Sequence, residues 1–291
     1  MSSTTANPGP RGIVVGVDGS PSSRVATDWA ARDAALRGVP LTVVHVLPSN
    51  GAWVDPPTSG EFATERQRRG KAVIDDALGL VSDAIGATPG IEVTHHVLTG
   101  ATVPELVQLS GDAELIVVGC RGLGGVKGLL LGSVSSGLVH HAHCPVAVIH
   151  DEDPLMDHPA TAPVAVGIDG SPASELATEI AFDEADRRGV ALLAVHTWTG
   201  TADFGVREGS ARPEEKLTQY LAGWTERYPD VVVQRIVGPG NAARRLLEES
   251  ERAQLLVVGS RGLGGFTGML LGSVSSAVAQ ASRMPVIIAR R

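Results

Sequence analysis

The sequence predicts an α/β protein of two tandem domains, each a five-stranded parallel sheet covered by helices on both faces. Three observations lead there: a long internal repeat, short apolar runs alternating with helix-periodic segments, and glycine-rich turns where the runs end. The 291 residues, 43% apolar and 19% charged, are enough for each half to bury its own core.

The repeat is explicit. Gly12-Ile-Val-Val-Gly-Val-Asp-Gly-Ser-Pro21 returns as Pro163-Val-Ala-Val-Gly-Ile-Asp-Gly-Ser-Pro172. Leu115-Ile-Val-Val-Gly-Cys-Arg-Gly-Leu-Gly-Gly125 returns as Leu255-Leu-Val-Val-Gly-Ser-Arg-Gly-Leu-Gly-Gly265, and Gly128-Leu-Leu-Leu-Gly-Ser-Val-Ser-Ser136 as Gly268-Met-Leu-Leu-Gly-Ser-Val-Ser-Ser276. The first motif recurs 151 residues on (18 to 169) and the glycine motif 140 residues on (119 to 259), so the second copy is 11 residues shorter between them. The loss is expected after the second strand, where the first copy carries Pro48 to Gly60. Domains are expected at 11–150 and 163–291, joined by an acidic, Pro-containing linker over 151–162 and preceded by a polar, disordered arm over 1–10.

In the first copy, Gly12–Val17 is a continuous apolar run too short for a helix, hence a buried strand. Ser22 to Arg37 has helical spacing, with Ser20 or Ser22 suited to cap it and Gly38 to end it. A second strand follows at Leu41–Leu47, a helix with a charged face at Glu61–Ile85, and a third strand at Ile91–Leu98. Val103–Ser110 reads as a short helix, Glu114–Gly119 as the fourth strand, Ser133–Ala142 as a helix and Val146–His150 as the last strand. Ligands of such sheets sit beyond the carboxyl ends of the strands, and both repeated motifs fall there, after strands one and four.

Composition narrows the function. A net charge of −8 and 3% aromatic residues argue against nucleic acid, which needs a basic surface or stacking platforms. No run approaches a membrane span, the polar stretch Met1–Arg11 is not expected to act as a signal peptide, and two cysteines fit a reducing cytoplasm.

The chemistry lies in Gly119-x-x-Gly122, nine residues, Gly132-Ser133, and in Gly259-x-x-Gly262, nine residues, Gly272-Ser273. Glycines let backbone approach a phosphate, and the run opens a helix whose first N–H groups are unpaired and electropositive. Ser133, Ser135, Ser273 and Ser275 offer hydroxyl donors, and Arg121 and Arg261 offer charge. A glycine turn and a helix cap would read the same way in isolation; repetition of the whole set favours a ligand. It is neither a P-loop, since no Lys precedes Ser133 or Ser273, nor a dinucleotide fingerprint, since it follows the fourth strand.

Asp18 after the first strand, with G-x2-G-x9-G-S after the fourth, resembles the ATP-binding class of the universal stress protein family, in the tandem form common in actinobacteria and mycobacteria. The resemblance implies two Rossmann-like domains of the adenine nucleotide alpha hydrolase-like type, and one ATP in each. It implies an adenosine pocket lined by Gly16, Asp18 and Ser20, and by Gly167, Asp169 and Ser171; both aspartates could also be helix caps, a role compatible with ligand contact. Backbone at His45–Val46 and His196–Thr197 would meet adenine, with the histidine rings structural. Gly119, Arg121, Gly122, Gly124 and Gly125 would wrap ribose and phosphates, as would Gly259, Arg261, Gly262, Gly264 and Gly265. Gly132, Ser133 and Val134, with Gly272, Ser273 and Val274, would meet the terminal phosphates. Mg²⁺ fits beside phosphates, although no carboxylate cluster marks its ligands.

The resemblance also implies that Val146–His150 and Pro285–Ala289 pair between the halves, that whole chains form a homodimer, and that a regulatory protein partner reads the bound state. The expected activity is that of a stress or growth-arrest regulator with little or no turnover. A slow ATPase using Asp18 or Asp169, or an ATP-independent dimeric scaffold, is the alternative. His140, His141, His143 and Cys144 invite a metal, but the second copy has Gln280, Ala281, Arg283 and Met284 there. Cys120 faces Ser260 in the comparison and reads as a small spacer.

Overall fold

A computed structural model describes residues 12–48, 60–86, 90–123, 131–150, 160–198, 212–264 and 270–290. The arm at 1–10, most of the linker, and Gly124, Gly125 and Gly265 lie outside these residues, as does most of the loop expected to hold the 11-residue difference.

The first half runs β1 (Ile13–Gly16), α1 (Pro21–Arg37), β2 (Leu41–Pro48), α2 (Gly60–Ile85), β3 (Val93–Gly100), α3 (Thr102–Leu109), β4 (Leu115–Gly119), α4 (Ser133–His141) and β5 (Val146–Ile149). The second repeats it as β6 (Val164–Gly167), α5 (Pro172–Arg188), β7 (Leu192–Trp198), α6 (Pro213–Arg227), β8 (Val233–Pro239), α7 (Ala242–Ser250), β9 (Leu255–Gly259), α8 (Ser273–Ala281) and β10 (Val286–Ala289). β3 starts two residues later than its apolar run, because its ladder begins where Val93 meets Leu41 of β2.

Each half is a parallel sheet, as expected, and the expected pairing of the last strands joins the two into one sheet. Its ten strands follow the order β3-β2-β1-β4-β5-β10-β9-β6-β7-β8, with β5 and β10 antiparallel in the middle. The register Val146↔Ile288, Ala147↔Ile287, Val148↔Val286 joins the last strands of the halves. Because that pair is antiparallel, the carboxyl ends of the two halves' strands point to opposite ends of the sheet.

Alternation along the strands builds two cores. Ile13 and Val15 face α1 and α2, where Trp29, Ala30 and Ile74 are buried; Val14 faces the other side, with Leu106 of α3 and Leu138 of α4. In the second half α5 and α6 cover the first face, and α7 and α8 the second. Burying each such aliphatic side chain is worth about 1.5–3 kcal/mol. Among the described residues no helix is long and apolar enough to cross a membrane.

On the first face α1 and α5 meet over the central strands, where two partly buried arginines pair with two buried carboxylates. Asp33 accepts from Arg37 Nε at 2.8 Å and from Arg188 Nη2 at 2.7 Å. Glu184 accepts from Arg37 Nη2 at 2.5 Å and from Arg188 Nε at 2.9 Å. The arginines thus link the helices crosswise, Arg188 also lying over the Trp29 ring. Burial, reinforced by Glu184 and opposed by both arginines, pushes the Asp33 carboxyl up to about 6.

Candidate functional site

Local rules place the site's parts. α1 starts at Ser20, whose Oγ accepts from Ser23 N at 3.2 Å, with Pro21 at the first helical position; Gly38, at φ 68°, ends the helix by donating to the Ala34 and Ala35 carbonyls. Ser171 starts α5 in the same way. The aspartates are therefore not the helix caps. Asp18 Oδ1 accepts from Ser20 N at 2.9 Å while its Oδ2 accepts from Leu123 N at 2.9 Å, so one carboxylate bridges the β1 turn to the glycine loop after β4. Asp169 makes the same pair of bonds, to Ser171 N at 2.9 Å and Leu263 N at 3.0 Å.

Gly119 and Gly122 owe their identity to contacts within the chain. A Cβ on Gly119 would lie 2.6 Å from the Ser22 carbonyl carbon, so the close approach of α1 to β4 requires glycine; Gly259 repeats this against Ala173 at 2.7 Å. A Cβ on Gly122 or Gly262 would run into the carboxylate of Asp18 or Asp169. Packing therefore accounts for part of the retained glycine pattern, and the same packing brings loop and aspartate together.

The helix starts are open. Gly132 and Gly272 are the N-caps of α4 and α8, and neither helix has a side-chain cap bond, which leaves first-turn N–H groups to attract an anion. Ser133 and Ser273 are exposed at these starts. Ser135 and Ser275 differ from the expectation of a ligand donor: they are buried, and their hydroxyls donate to the chain itself. Ser135 Oγ bonds the Gly119 and Cys120 carbonyls at 3.1 and 2.9 Å, and Ser275 Oγ bonds the Gly259 carbonyl at 2.6 Å. They position the strand end that carries the loop.

Each half encloses a cavity of about 490 Å³ beyond its strand ends. The first gathers Gly16, Asp18, Val46, Gly119, Arg121, Gly122, Gly132, Ser133, Val134 and Ser135. The second gathers Gly167, Asp169, Thr197, Gly259, Arg261, Gly262, Gly264, Gly272, Ser273, Val274 and Ser275. Ser20 and Ser171 do not line the cavities; they are buried behind them as caps. His45 and His196 each hold a backbone carbonyl through Nδ1, at Val17 and Ile168, both at 2.7 Å, which ties β2 and β7 to the aspartate turns.

Sequence reasoning missed the apolar walls. Leu106 and Val118, with Leu246 and Val258, line the cavities yet read as ordinary core positions. It also missed Asn241, which caps α7 by accepting from Arg244 N at 3.0 Å and lines the second cavity, where the first copy has Ala101. Asparagine just before a helix-periodic run is a cap signal that was available.

The side features resolve locally. His140 Nδ1 bonds the Ser136 carbonyl at 2.7 Å, and among the described residues no His, Cys, Asp and Glu cluster could hold a metal. Cys120 is buried in the second-face core, and burial pushes the Cys144 thiol up to about 12. Arg68 and Arg69 pair with Glu65 on an exposed face of α2.

Comparison with known proteins agrees with this architecture. The model of the Universal stress protein family matches residues 10–150 and again 161–290. The chain is 52% identical to universal stress protein Rv2623 of Mycobacterium tuberculosis over 287 residues, 96% of both chains. It is 49% identical to Rv2005c of the same organism over 288 residues, 96% of this chain and 97% of that one. The crystal structure of a universal stress protein from Archaeoglobus fulgidus shares the fold, with a TM-score of 0.73 at 23% identity over 97% of each chain. The chain belongs to the universal stress protein family, with two of the family's domains in tandem.

Proposed function

We propose that each half binds one ATP and that the protein regulates a stress or growth-arrest response through its occupancy, with little or no turnover. The observation that carries this is the uncapped start of α4 and of α8, each opening on a cavity of about 490 Å³ whose glycine loop is already held by an aspartate. Helix N–H groups, a glycine loop and an exposed arginine suit phosphates, and the apolar wall of Leu106 and Val118 suits a purine and ribose. Mg²⁺ would enter on the phosphates rather than on a carboxylate cage.

The same geometry argues against efficient hydrolysis. Both oxygens of Asp18, and of Asp169, accept backbone N–H bonds, which commits them to a structural role and competes with orienting a water. A homodimer of whole chains and a protein partner belong to this reading, in a cytoplasmic setting.

Denaturing the purified protein and chromatographing the released nucleotide tests the proposal, together with calorimetric titration of the stripped protein. Two equivalents of ATP per chain are expected, with single-turnover hydrolysis no faster than release. Failure to bind ATP in titration would refute it, and rapid hydrolysis would favour the ATPase.

A further inference from the structure

The two sites share their aspartate bridge, but their glycine loops are not held equally. In the first half the Arg121 carbonyl, inside the loop, accepts from two buried hydroxyls: Ser20 Oγ at 3.2 Å and Ser22 Oγ in a shorter bond. The two hydroxyls themselves lie 3.5 Å apart. In the second half the Arg261 carbonyl accepts from Ser171 Oγ at 3.1 Å, and the residue equivalent to Ser22 is Ala173. At the loop base Ser135 Oγ bonds the Gly119 and Cys120 carbonyls while Ser275 Oγ bonds the Gly259 carbonyl, and the backbone ties are matched. Gly132 N donates to the Cys120 carbonyl at 2.7 Å and Gly272 N to the Ser260 carbonyl at 2.8 Å, and Leu123 and Leu263 bond the aspartates alike.

We propose that Ser22 is a positioning residue that makes the two nucleotide sites unequal, so that the first site releases its nucleotide more slowly than the second. This rests on nucleotide binding in both halves. Ser22 sits in the first turn of α1 and is 2% exposed, so its hydroxyl acts through the loop rather than on the ligand. A carbonyl accepting from two donors fixes the peptide plane at Arg121, and with it the direction of the next N–H groups and of the Arg121 side chain. A loop fixed in advance loses less freedom when it closes on phosphates, and that advantage appears mainly in the off-rate. One extra neutral hydrogen bond corresponds to about a fivefold difference.

The test loads the full chain with a fluorescent ATP analogue and Mg²⁺, then chases with excess ATP. The unchanged protein should release the probe in two equal phases separated by about fivefold. Ser22→Ala should convert the slow phase to the fast one, and Ala173→Ser should convert the fast phase to the slow one. A purely structural role for Ser22 would lower the melting temperature without merging the phases. Because Ala173→Ser adds a hydroxyl, it keeps the test decisive should Ser22→Ala fold poorly. Two phases that neither change moves, or one phase throughout, overturn the proposal while leaving nucleotide binding intact. No probe or ATP bound at either site overturns the functional reading and this inference with it.

Discussion

Replacing Asp33 by Asn probes the junction where α1 and α5 bury two carboxylates against two arginines. Burial, reinforced by Glu184, pushes the folded carboxyl up to about 6, above the ordinary aspartate value of about 4. A group whose folded pKa is raised binds its proton more tightly in the native state, so stability must fall as pH rises from about 4 to about 6. The difference of roughly two units corresponds to about 3 kcal/mol, fully felt above pH 6 and absent below pH 4. Urea unfolding followed by tryptophan fluorescence, at intervals from pH 4 to 7.5, measures it. The expected result is that Asp33→Asn flattens the curve by about 3 kcal/mol over this window, relative to the unchanged protein. Groups away from the junction titrate alike in both proteins and cancel in the difference, while Glu184 responds to the same substitution. A variant curve parallel to the original would refute the assignment. A variant that steepens the fall would mean that the arginines outweigh burial and hold the carboxyl below its ordinary value.

Gly122→Ala should push Asp18 away from Leu123 N and weaken nucleotide binding at the first site by at least about tenfold, while Gly262→Ala does the same at the second; calorimetric stoichiometry distinguishes them. Cys144, with its thiol pushed up to about 12, should stay unreactive toward a disulfide reagent at pH 8 in the folded protein and react once urea unfolds it. Ile287→Ala, at a fully buried position in the central strand pair, should cost about 2–5 kcal/mol in urea unfolding. A smaller loss would show that the junction repacks around the gap.

The repeat made the alternation of strands and helices readable, because each motif fixed the same strand end twice. The pairing of the last strands, which joins the halves into one ten-stranded sheet, was also expected. What escaped reading depended on approach between distant segments. Asp33 and Arg37 look like any exposed pair four residues apart on a helix, and only the crossing of α1 and α5 brings them together with Glu184 and Arg188. Ser135 looked like a phosphate donor because its spacing after Gly132 could not show that the hydroxyl turns back to β4. In sequence Gly119 suggests room for a ligand, whereas the α1 backbone lies in the space its side chain would need. The bonds of Asp18 and Asp169 to the glycine loops span 105 and 94 residues and leave no trace in local pattern.

The antiparallel pairing of β5 with β10 also determines how the protein responds to dilution. Were the halves separate chains, that strand pair would form only above a threshold concentration, and each half alone would offer β5 or β10 as an open edge. One continuous chain replaces this bimolecular encounter with an intramolecular one, at an effective concentration on the order of millimolar for a short connection. The central edge is thus covered at any expression level, which removes a natural template for aggregation. Among the described residues, β3 and β8 remain as termini of the sheet.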